Sequence, residues 1–285
     1  MFKFFANIFG YVLEMIYGII GNFGFSLIIF TILLRLILLP MTIKQQKTMK
    51  KSAKVQAKMK ELQDKYSNDP VRLNQEVMNL YAEEKMNPLS GCLSSILQII
   101  VVIAVFMVVS RPLTYMIKIP ETTINEYKEQ ISEEIKDNQN YVEISIIKHL
   151  AKTEDTVNIN MDFLGLDLSD IPSQDYSDIK VFIIPALYII TSMISTKLTL
   201  SSTQKKKKEE INATKEDEKL VKTEEKNEEM EMVEAMNKNM TYMMPIMTVM
   251  VALIAPLGLA LYWFVSNLVM IIERLLMKKF IKEEA

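Results

Sequence analysis

One arginine stands inside a long apolar stretch of this 285-residue chain, and it is the residue with the clearest capacity for chemistry. Between Met15 and Pro40, Arg35 is the only Lys, Arg, Asp or Glu. Burying an arginine at the centre of a bilayer costs at least about 2.5 kcal/mol, so its guanidinium needs water, a partner or lipid headgroups. We therefore expect either a water-filled cavity in which Arg35 attracts anions, or an arginine that snorkels to the headgroups.

Further polar side chains fall within the apolar stretches of the chain. They are Thr31, Gln98, Tyr262, Trp263, Ser266 and Asn267. Thr31 lies one helical turn before Arg35 and would project on the same side. Tyr262 and Trp263, taken singly, are typical of the membrane interface. Taken together, the set favours a hydrophilic groove walled by several helices. We expect no acid in the other apolar stretches to pair with Arg35, so the missing anion should arrive with a substrate.

Residue types that catalyse covalent reactions are too sparse to indicate an enzyme. The single cysteine, Cys92, excludes an internal disulfide framework and a Cys-based zinc cluster, and the single histidine, His149, removes most His-based metal and triad chemistry. We expect these two residues on opposite sides of a membrane, which excludes a Cys–His pair. The seven glycines form no phosphate-binding loop, and 33 basic against 35 acidic residues give no global basic field. We therefore predict no catalytic residue, no metal, no cofactor and no specific nucleic-acid partner.

Charge-free runs define the elements that position these residues. After the stretch around Arg35, such runs extend from Met86 to Ser110, from Val181 to Thr196 and from Asn239 to Ile272. A bilayer core needs roughly 20 apolar residues as a helix. The last run is too long for one span, and Pro256 and Gly258 lie near its middle. We therefore predict two short spans joined by a tight hairpin, of roughly 25 Å and 21 Å at 1.5 Å per residue.

The predicted fold is an all-α integral membrane protein, with five transmembrane helices around a hydrophilic groove and a cytoplasmic antiparallel helical hairpin. The predicted segments are an interfacial N-terminal helix over 1–18, TM1 over 19–40, the helical hairpin over 41–87, TM2 over 91–110, an acidic extracellular loop over 111–180, TM3 over 181–197, a charged cytoplasmic linker over 198–238, TM4 over 239–255, TM5 over 259–273 and a cytoplasmic tail over 274–285. Apolar residues at helical spacing favour the interfacial helix; the alternative is that it merely lengthens the first span.

Orientation follows from the basic residues, which are retained on the cytoplasmic side. The segments Lys44–Lys85 and Lys197–Lys238 each hold ten Lys+Arg in 42 residues, whereas Arg111–Lys180 holds seven in 70 alongside fourteen acids. We therefore predict a multi-pass protein with its N-terminus and acidic loop outside and its C-terminus in the cytoplasm. The basic side of the hairpin is either a solvated face over anionic headgroups or a docking surface for a protein or ribosomal partner.

Five stretches, in order along the chain, carry a family resemblance. They are Leu34-Arg-Leu-Ile-Leu-Leu-Pro-Met-Thr-Ile-Lys-Gln-Gln-Lys-Thr-Met49, Lys65-Tyr-Ser-Asn-Asp-Pro70, Asn87-Pro-Leu-Ser-Gly-Cys-Leu93, Asp162-Phe-Leu-Gly-Leu-Asp-Leu168, and Pro256-Leu-Gly-Leu-Ala-Leu-Tyr-Trp263 with Ser266-Asn267. Together they resemble the YidC/Oxa/Alb membrane protein insertases, in the short Gram-positive form. The chain departs from the family in three ways: we expect no lipoprotein signal, the 111–180 loop is too short for a large periplasmic domain, and Ile99-Ile100 replaces the proline after the groove glutamine.

The resemblance implies an insertase and chaperone of the bacterial cell membrane, with a groove open to the cytosol and lipid but closed to the outside. In that family the arginine matching Arg35 attracts acidic or polar tail residues of an incoming protein, and residues matching Gln98 and Trp263 line the groove. The implied partners are nascent membrane proteins with short, often acidic extracellular tails, the ribosome, the general secretion translocon and membrane lipids. From the residues alone, an anion-selective channel or small transporter, or a structural scaffold, remain competing interpretations.

Overall fold

The computed structural model describes residues 1–66, 69–84, 90–133, 135, 139–214, 247 and 249–283. The helices are α1 Phe2–Ile20, α2 Phe23–Lys65, α3 Pro70–Glu83, α4 Ser90–Ser110, α5 Glu121–Gln130, α6 Val142–Leu150, α7 Ile183–Thr214 and α8 Leu257–Glu283, with a further helical stretch at 249–254. Two-residue strands, β1 Asp162–Phe163 and β2 Leu166–Asp167, pair antiparallel. The chain divides into two compact units, one of Met1–Leu36, Ile100–Ser195 and Lys226–Ala285, the other of Ile37–Ile99 and Thr196–Glu225.

Four helices among the described residues are long and apolar enough to cross a bilayer. They are Phe2–Ile20, Phe23–Gln46, Ile179–Leu198 and Leu257–Met277, and Ile96–Ser110 is a shorter apolar helix. The predicted class, an all-α integral membrane protein, is confirmed, with the small β hairpin as its one exception among the described residues. Several predicted features lie outside the described residues: most of TM4, the linker beyond 214, residues 67–68 and 85–87 of the predicted hairpin, and the last two residues of the tail.

A left-handed glycine separates the first two helices. Gly21 has a φ of 69° and donates its N–H to the carbonyl of Tyr17 at 2.7 Å, which is a common helix ending. The side chain of Asn22 then accepts a hydrogen bond from the N–H of Phe25 at 3.1 Å. The break lies three residues beyond the predicted boundary, and α2 continues through Pro40 to Lys65. The predicted TM1 and the first arm of the hairpin are thus one helix, while an interfacial role for α1 stays a prediction.

The smaller unit contains two helical arms that contact each other. The Nζ atom of Lys58 in α2 lies 2.6 Å from Oε1 of Glu84, and the hydroxyl of Tyr81 lies 3.9 Å from the Sδ atom of Met59. Asp69 caps the start of α3, since its side chain accepts a hydrogen bond from the backbone N–H of Arg72 at 3.0 Å. These contacts join residues near 58 to residues near 83, as two antiparallel arms would.

In the larger unit, a segment between the predicted spans satisfies the first N–H groups of two membrane helices. The N–H of Phe23, which opens α2, donates to the carbonyl of Asn160 at 3.0 Å. The N–H of Leu257, which opens α8, donates to the carbonyl of Asp170 at 2.9 Å. These groups have no partner within their own helices, so the 160–170 segment supplies one from elsewhere in the chain.

The tight turn predicted at Pro256 and Gly258 is the point where several elements of this unit meet. Gly258 donates its N–H to the carbonyl of Leu168 at 2.9 Å. A Cβ at Gly258 would lie 3.5 Å from a ring carbon of Phe23 and 3.6 Å from a methyl group of Val109. The starts of α2 and α8 therefore pack against the end of α4 beneath this segment, and the buried core of the unit includes this junction.

A buried carboxylate fixes the chain just after α4. Glu143 in α6 is 6% exposed, and it accepts hydrogen bonds from the N–H of Thr114 at 2.9 Å and from its hydroxyl at 2.6 Å. Thr114 belongs to the π-helical turn Leu113–Ile117. Burial raises the pKa of Glu143 above its ordinary value, although the hydrogen bonds from Thr114 oppose that shift. The carboxylate therefore holds the turn at an electrostatic cost.

Removing the charge of Glu143 should flatten the pH dependence of stability. Because the folded-state pKa of Glu143 is raised, its protonated form favours the folded protein. This contribution to the free energy of unfolding is complete below the ordinary pKa of 4.5 and is lost as the pH rises through the raised pKa. Glu143→Gln is neutral at every pH and should lack this loss. Glu143→Ala also deprives Thr114 of its acceptor and should be less stable than Glu143→Gln by about 1–3 kcal/mol. Unfolding of the detergent-solubilised chain from pH 4 to 8 measures both effects, and equal pH slopes for wild type and Glu143→Gln would contradict the first.

Candidate functional site

Arg35 lies on α2 with its guanidinium held against α8. Its Nε atom donates a hydrogen bond to the hydroxyl of Ser266 at 3.0 Å, and Nη2 donates to the same oxygen. Arg35 is half-buried and Ser266 is buried. A serine hydroxyl is a neutral acceptor, so it orients the guanidinium without cancelling its charge. The site therefore keeps a positive charge among apolar helices.

Tyr262 extends this polar contact one turn earlier along α8. Its hydroxyl is hydrogen-bonded to Ser266 and lies in the electrostatic field of Arg35. Tyr262 is buried, with 5% of its surface exposed. Residues four apart on a helix lie on one face, so Tyr262 and Ser266 present a continuous polar stripe to Arg35.

Two charged residues continue the site along α8. Glu273 is 6% exposed and interacts electrostatically with both Arg35 and Arg274. It follows Ser266 by seven residues, which places the two on the same helical face. The Nη1 atom of Arg274 donates to the backbone carbonyl of Ser195 in α7 at 3.2 Å. Three helices of one compact unit thus contribute to a cluster of two arginines and one glutamate.

Glu273 corrects the expectation that Arg35 has no acidic neighbour within a span. The predicted TM5 ended at 273 and the predicted tail began at Arg274, because the charge-free run stops at Ile272. The helix does not stop there: α8 reaches Glu283, and its apolar segment Leu257–Met277 includes both residues. At 1.5 Å per residue this segment is about 31 Å long, so α8 is not the short span that was expected.

The other residues expected at the site have varied surroundings. Thr31 is buried, and its hydroxyl donates to the carbonyl of Leu27 at 2.6 Å, within its own helix. Trp263 is half-buried and packs on Tyr188 of α7, with ring centroids 5.6 Å apart at 33°. Asn267, also half-buried, follows Ser266 on α8. Gln98 is half-buried on α4, in the smaller unit, and its place at the site stays a prediction.

Four residues of this site were not expected from the sequence: Glu273, Arg274, Ser195 and Tyr188. The signal for Glu273 was its spacing of seven residues from Ser266, which repeats a helical face. For Ser195 and Tyr188 the sequence carries no comparable signal, since they enter through contacts between α7 and α8. Among the described residues, no group of three His, Cys, Asp or Glu is arranged to hold a metal ion.

The fold and this cluster together define a multi-pass membrane protein with a cationic site between its helices. The family model described as 60Kd inner membrane protein, of the YidC/Oxa1 family, matches residues 15–284, and the chain belongs to that family. The resemblance drawn from the five sequence stretches is therefore confirmed.

Individual relatives carry one name, membrane protein insertase YidC. The chain is 29% identical to the protein from Fusobacterium nucleatum over 261 residues, which cover 91% of this chain and 88% of that one. It is 25% identical to the Treponema denticola protein, covering 96% of this chain and 37% of the relative. It is 43% identical to the Caldanaerobacter subterraneus protein over 97 residues, which are 34% of this chain and 47% of the relative. The chain is a multi-pass bacterial membrane protein.

Proposed function

We propose that this chain is a membrane protein insertase, which inserts integral membrane proteins and helps them to fold through a groove open to the cytosol and the lipid, without nucleotide hydrolysis. The name shared by its relatives supports the proposal. The observation that carries it is the guanidinium of Arg35, which is half-buried among apolar helices and bound to a neutral hydroxyl. That charge is available to an anionic group of an incoming chain.

The proposed mechanism needs two contributions, neither of which requires ATP. Arg35 attracts acidic or polar residues in the extracellular tail of the client and offsets part of their cost of leaving bulk water, because charges interact more strongly where the local dielectric is low. The apolar segment of the client then partitions into lipid, at about 25 cal/mol for each Å² of apolar surface removed from water. This partitioning supplies the driving force, and Arg35 lowers the barrier for the tail.

We include five further side chains in the proposed groove beside Arg35. They are Thr31, Gln98, Tyr262, Trp263 and Asn267. The contact of Tyr262 with Ser266 supports its membership most directly. Thr31 contributes shape rather than a free hydroxyl, since that hydroxyl binds its own helix.

The proposed orientation places the N-terminus and residues 111–180 outside and the C-terminus in the cytoplasm. The basic segments support it, because lysine and arginine are retained on the cytoplasmic side. The hydrogen bonds from Phe23 and Leu257 to the 160–170 segment fit a groove that is closed on the outer side. The proposed partners are nascent membrane proteins with short, often acidic extracellular tails, together with the ribosome, the general secretion translocon and membrane lipids.

Proteoliposomes that contain only this chain test the proposal. A short single-span client with an acidic tail should become protected from external protease in these vesicles, and not in empty liposomes of the same lipid. Chloride flux is measured in parallel without any client. Insertion above the empty-liposome level supports the insertase, whereas chloride flux without insertion would identify an anion channel or small transporter.

A further inference from the structure

The carboxylate of Glu273 is buried without a hydrogen-bond partner. Both of its oxygens are inaccessible to solvent, and neither has a partner among the residues that the structure describes. The positive charges of Arg35 and Arg274 act on it electrostatically. A buried carboxylate is ordinarily hydrogen-bonded, so one that is left without a partner calls for an explanation other than stability.

The hydrogen bonds of Arg35 run to a different group. A guanidinium carries five N–H donors, and in the described part of the chain the acceptor that Arg35 uses is the hydroxyl of Ser266. Glu273 therefore acts on Arg35 through its field and not through a direct bond. A second carboxylate that reached the unused donors of Arg35 would gain charge-assisted hydrogen bonds that Glu273 does not make.

We propose that Glu273 is a specificity-determining residue, an internal carboxylate that moderates the attraction of Arg35 for acidic client tails. The cluster of Arg35, Arg274 and Glu273 has a formal charge of +1, being two positive charges and one negative. Without Glu273 the formal charge would be +2, and the site would favour acidic tails more strongly over neutral ones. This inference rests on the proposed function, because it assumes that Arg35 attracts the tail.

The site needs such moderation because a client has to leave it. An unopposed pair of arginines would bind an acidic tail tightly and slow its release, and it would repel a basic tail. A carboxylate fixed nearby cancels part of the positive potential of the arginines. The carboxylate of the client then competes with Glu273 for interaction with Arg35 on nearly equal terms. Glu273 thus sets how much tail charge is needed for efficient insertion.

The test uses three versions of one single-span client, whose tails of equal length carry two Asp, two Asn or two Lys. Initial rates of insertion are measured at subsaturating client in proteoliposomes containing the full chain. Glu273→Gln should raise the ratio of acidic-tail to neutral-tail insertion by roughly fivefold, for a charge acting over several ångströms at intermediate dielectric. Glu273→Asp, which keeps the charge, should retain the wild-type ratio.

Two further chains control for folding and for net charge. Glu273→Leu is a second uncharged variant that suits apolar surroundings, and it should give the same ratio as Glu273→Gln. Glu126→Gln removes one negative charge from an exposed position on α5 and should leave the ratio unchanged. The rate for the neutral-tail client shows how much folded protein each preparation contains.

Arg35→Ala separates the failure of this inference from the failure of the proposed function. If Arg35→Ala leaves the acidic-to-neutral ratio at the wild-type value, the proposed role of Arg35 is wrong. If Arg35→Ala lowers the ratio while Glu273→Gln and Glu273→Leu leave it unchanged, the role of Glu273 alone is overturned. In the Arg35→Ala chain, Glu273→Gln should change the ratio less than twofold. A fivefold change there would show that Glu273 does not act through Arg35, and would equally overturn the inference.

Discussion

Arg35→Ala should slow the insertion of a client with an acidic tail by roughly tenfold, while a client with a short neutral tail is inserted at close to the wild-type rate. The difference corresponds to about 1.4 kcal/mol of lost attraction, which is modest for a charge pair at intermediate dielectric. Ser266 and Tyr262 remain in the variant, but a neutral hydroxyl cannot replace the field of a guanidinium. Insertion into proteoliposomes, scored by protease protection of the tail, measures both rates.

Two arginine substitutions make this prediction specific to charge and position. Arg35→Lys keeps the positive charge and should be milder than Arg35→Ala, although a lysine lacks the planar fork that reaches Ser266 through two nitrogens. Arg111→Ala removes an arginine from an exposed position after α4 and should not change the ratio of the two clients. If Arg35→Ala inserted both clients at their wild-type rates, the role that we assign to Arg35 would be contradicted.

The centre of this site could be predicted from the sequence because its signals are local. Arg35 is conspicuous as a lone charge in an apolar helix, and the polar residues Tyr262 and Ser266 are spaced by one helical turn in another. The structure brings these three residues together. Which hydroxyl would accept from Arg35 could not be predicted, since that depends on how α2 and α8 are placed side by side.

Glu273 was missed because the charge-free run that defined TM5 stops at Ile272, and the spacing of Glu273 from Ser266 does not show which helix that face meets. A helix ends where its backbone hydrogen bonds end, and α8 continues for ten residues after Glu273. Whether a charge at such a position meets solvent or a neighbouring helix depends on long-range packing. The contact of Arg274 with the carbonyl of Ser195 is an example, since 79 residues separate the two in sequence.

The region 111–180 was the least predictable part of the fold. Its composition indicated only an acidic loop, yet it contains α5, α6, a β hairpin and buried apolar residues such as Ile146 and Val157. The hairpin turn at Leu164 and Gly165 has positive φ at both residues, which is the geometry of a two-residue turn. Leucine is uncommon at positive φ, so the turn propensities of these residues did not predict a hairpin here.

Gly10→Ala should destabilise the protein by about 1–3 kcal/mol, the range expected when a side chain is forced into a packed contact. A Cβ at Gly10 would collide with the backbone carbonyl of Tyr115, which lies in the π-helical turn after α4. Backbone atoms cannot rotate away as the end of a flexible side chain can. The helix would therefore have to move away from the turn, although alanine is the better helix former.

The position of α1 should depend mainly on this close approach. Its polar contacts with the region after α4 include the ion pair of Lys118 with Glu14 at 3.1 Å and the position of Lys118 over the ring of Tyr11. Both charged side chains of the pair are largely exposed, and an exposed ion pair contributes about 0–1 kcal/mol. Neither contact can compensate for the displacement of a whole helix.

Gly18→Ala, on the same helix, provides the matched control. No atom lies within 4 Å of a Cβ placed at Gly18, so this substitution should be neutral or stabilising by up to about 1 kcal/mol through helix propensity alone. The thermal unfolding midpoints of the two variants in detergent should therefore shift from the wild-type value in opposite directions or by clearly different amounts. If Gly10→Ala were as stable as Gly18→Ala, α1 would not be anchored at Tyr115, and its attachment would have to come from its apolar contacts with α2, such as that of Phe9 with Phe30.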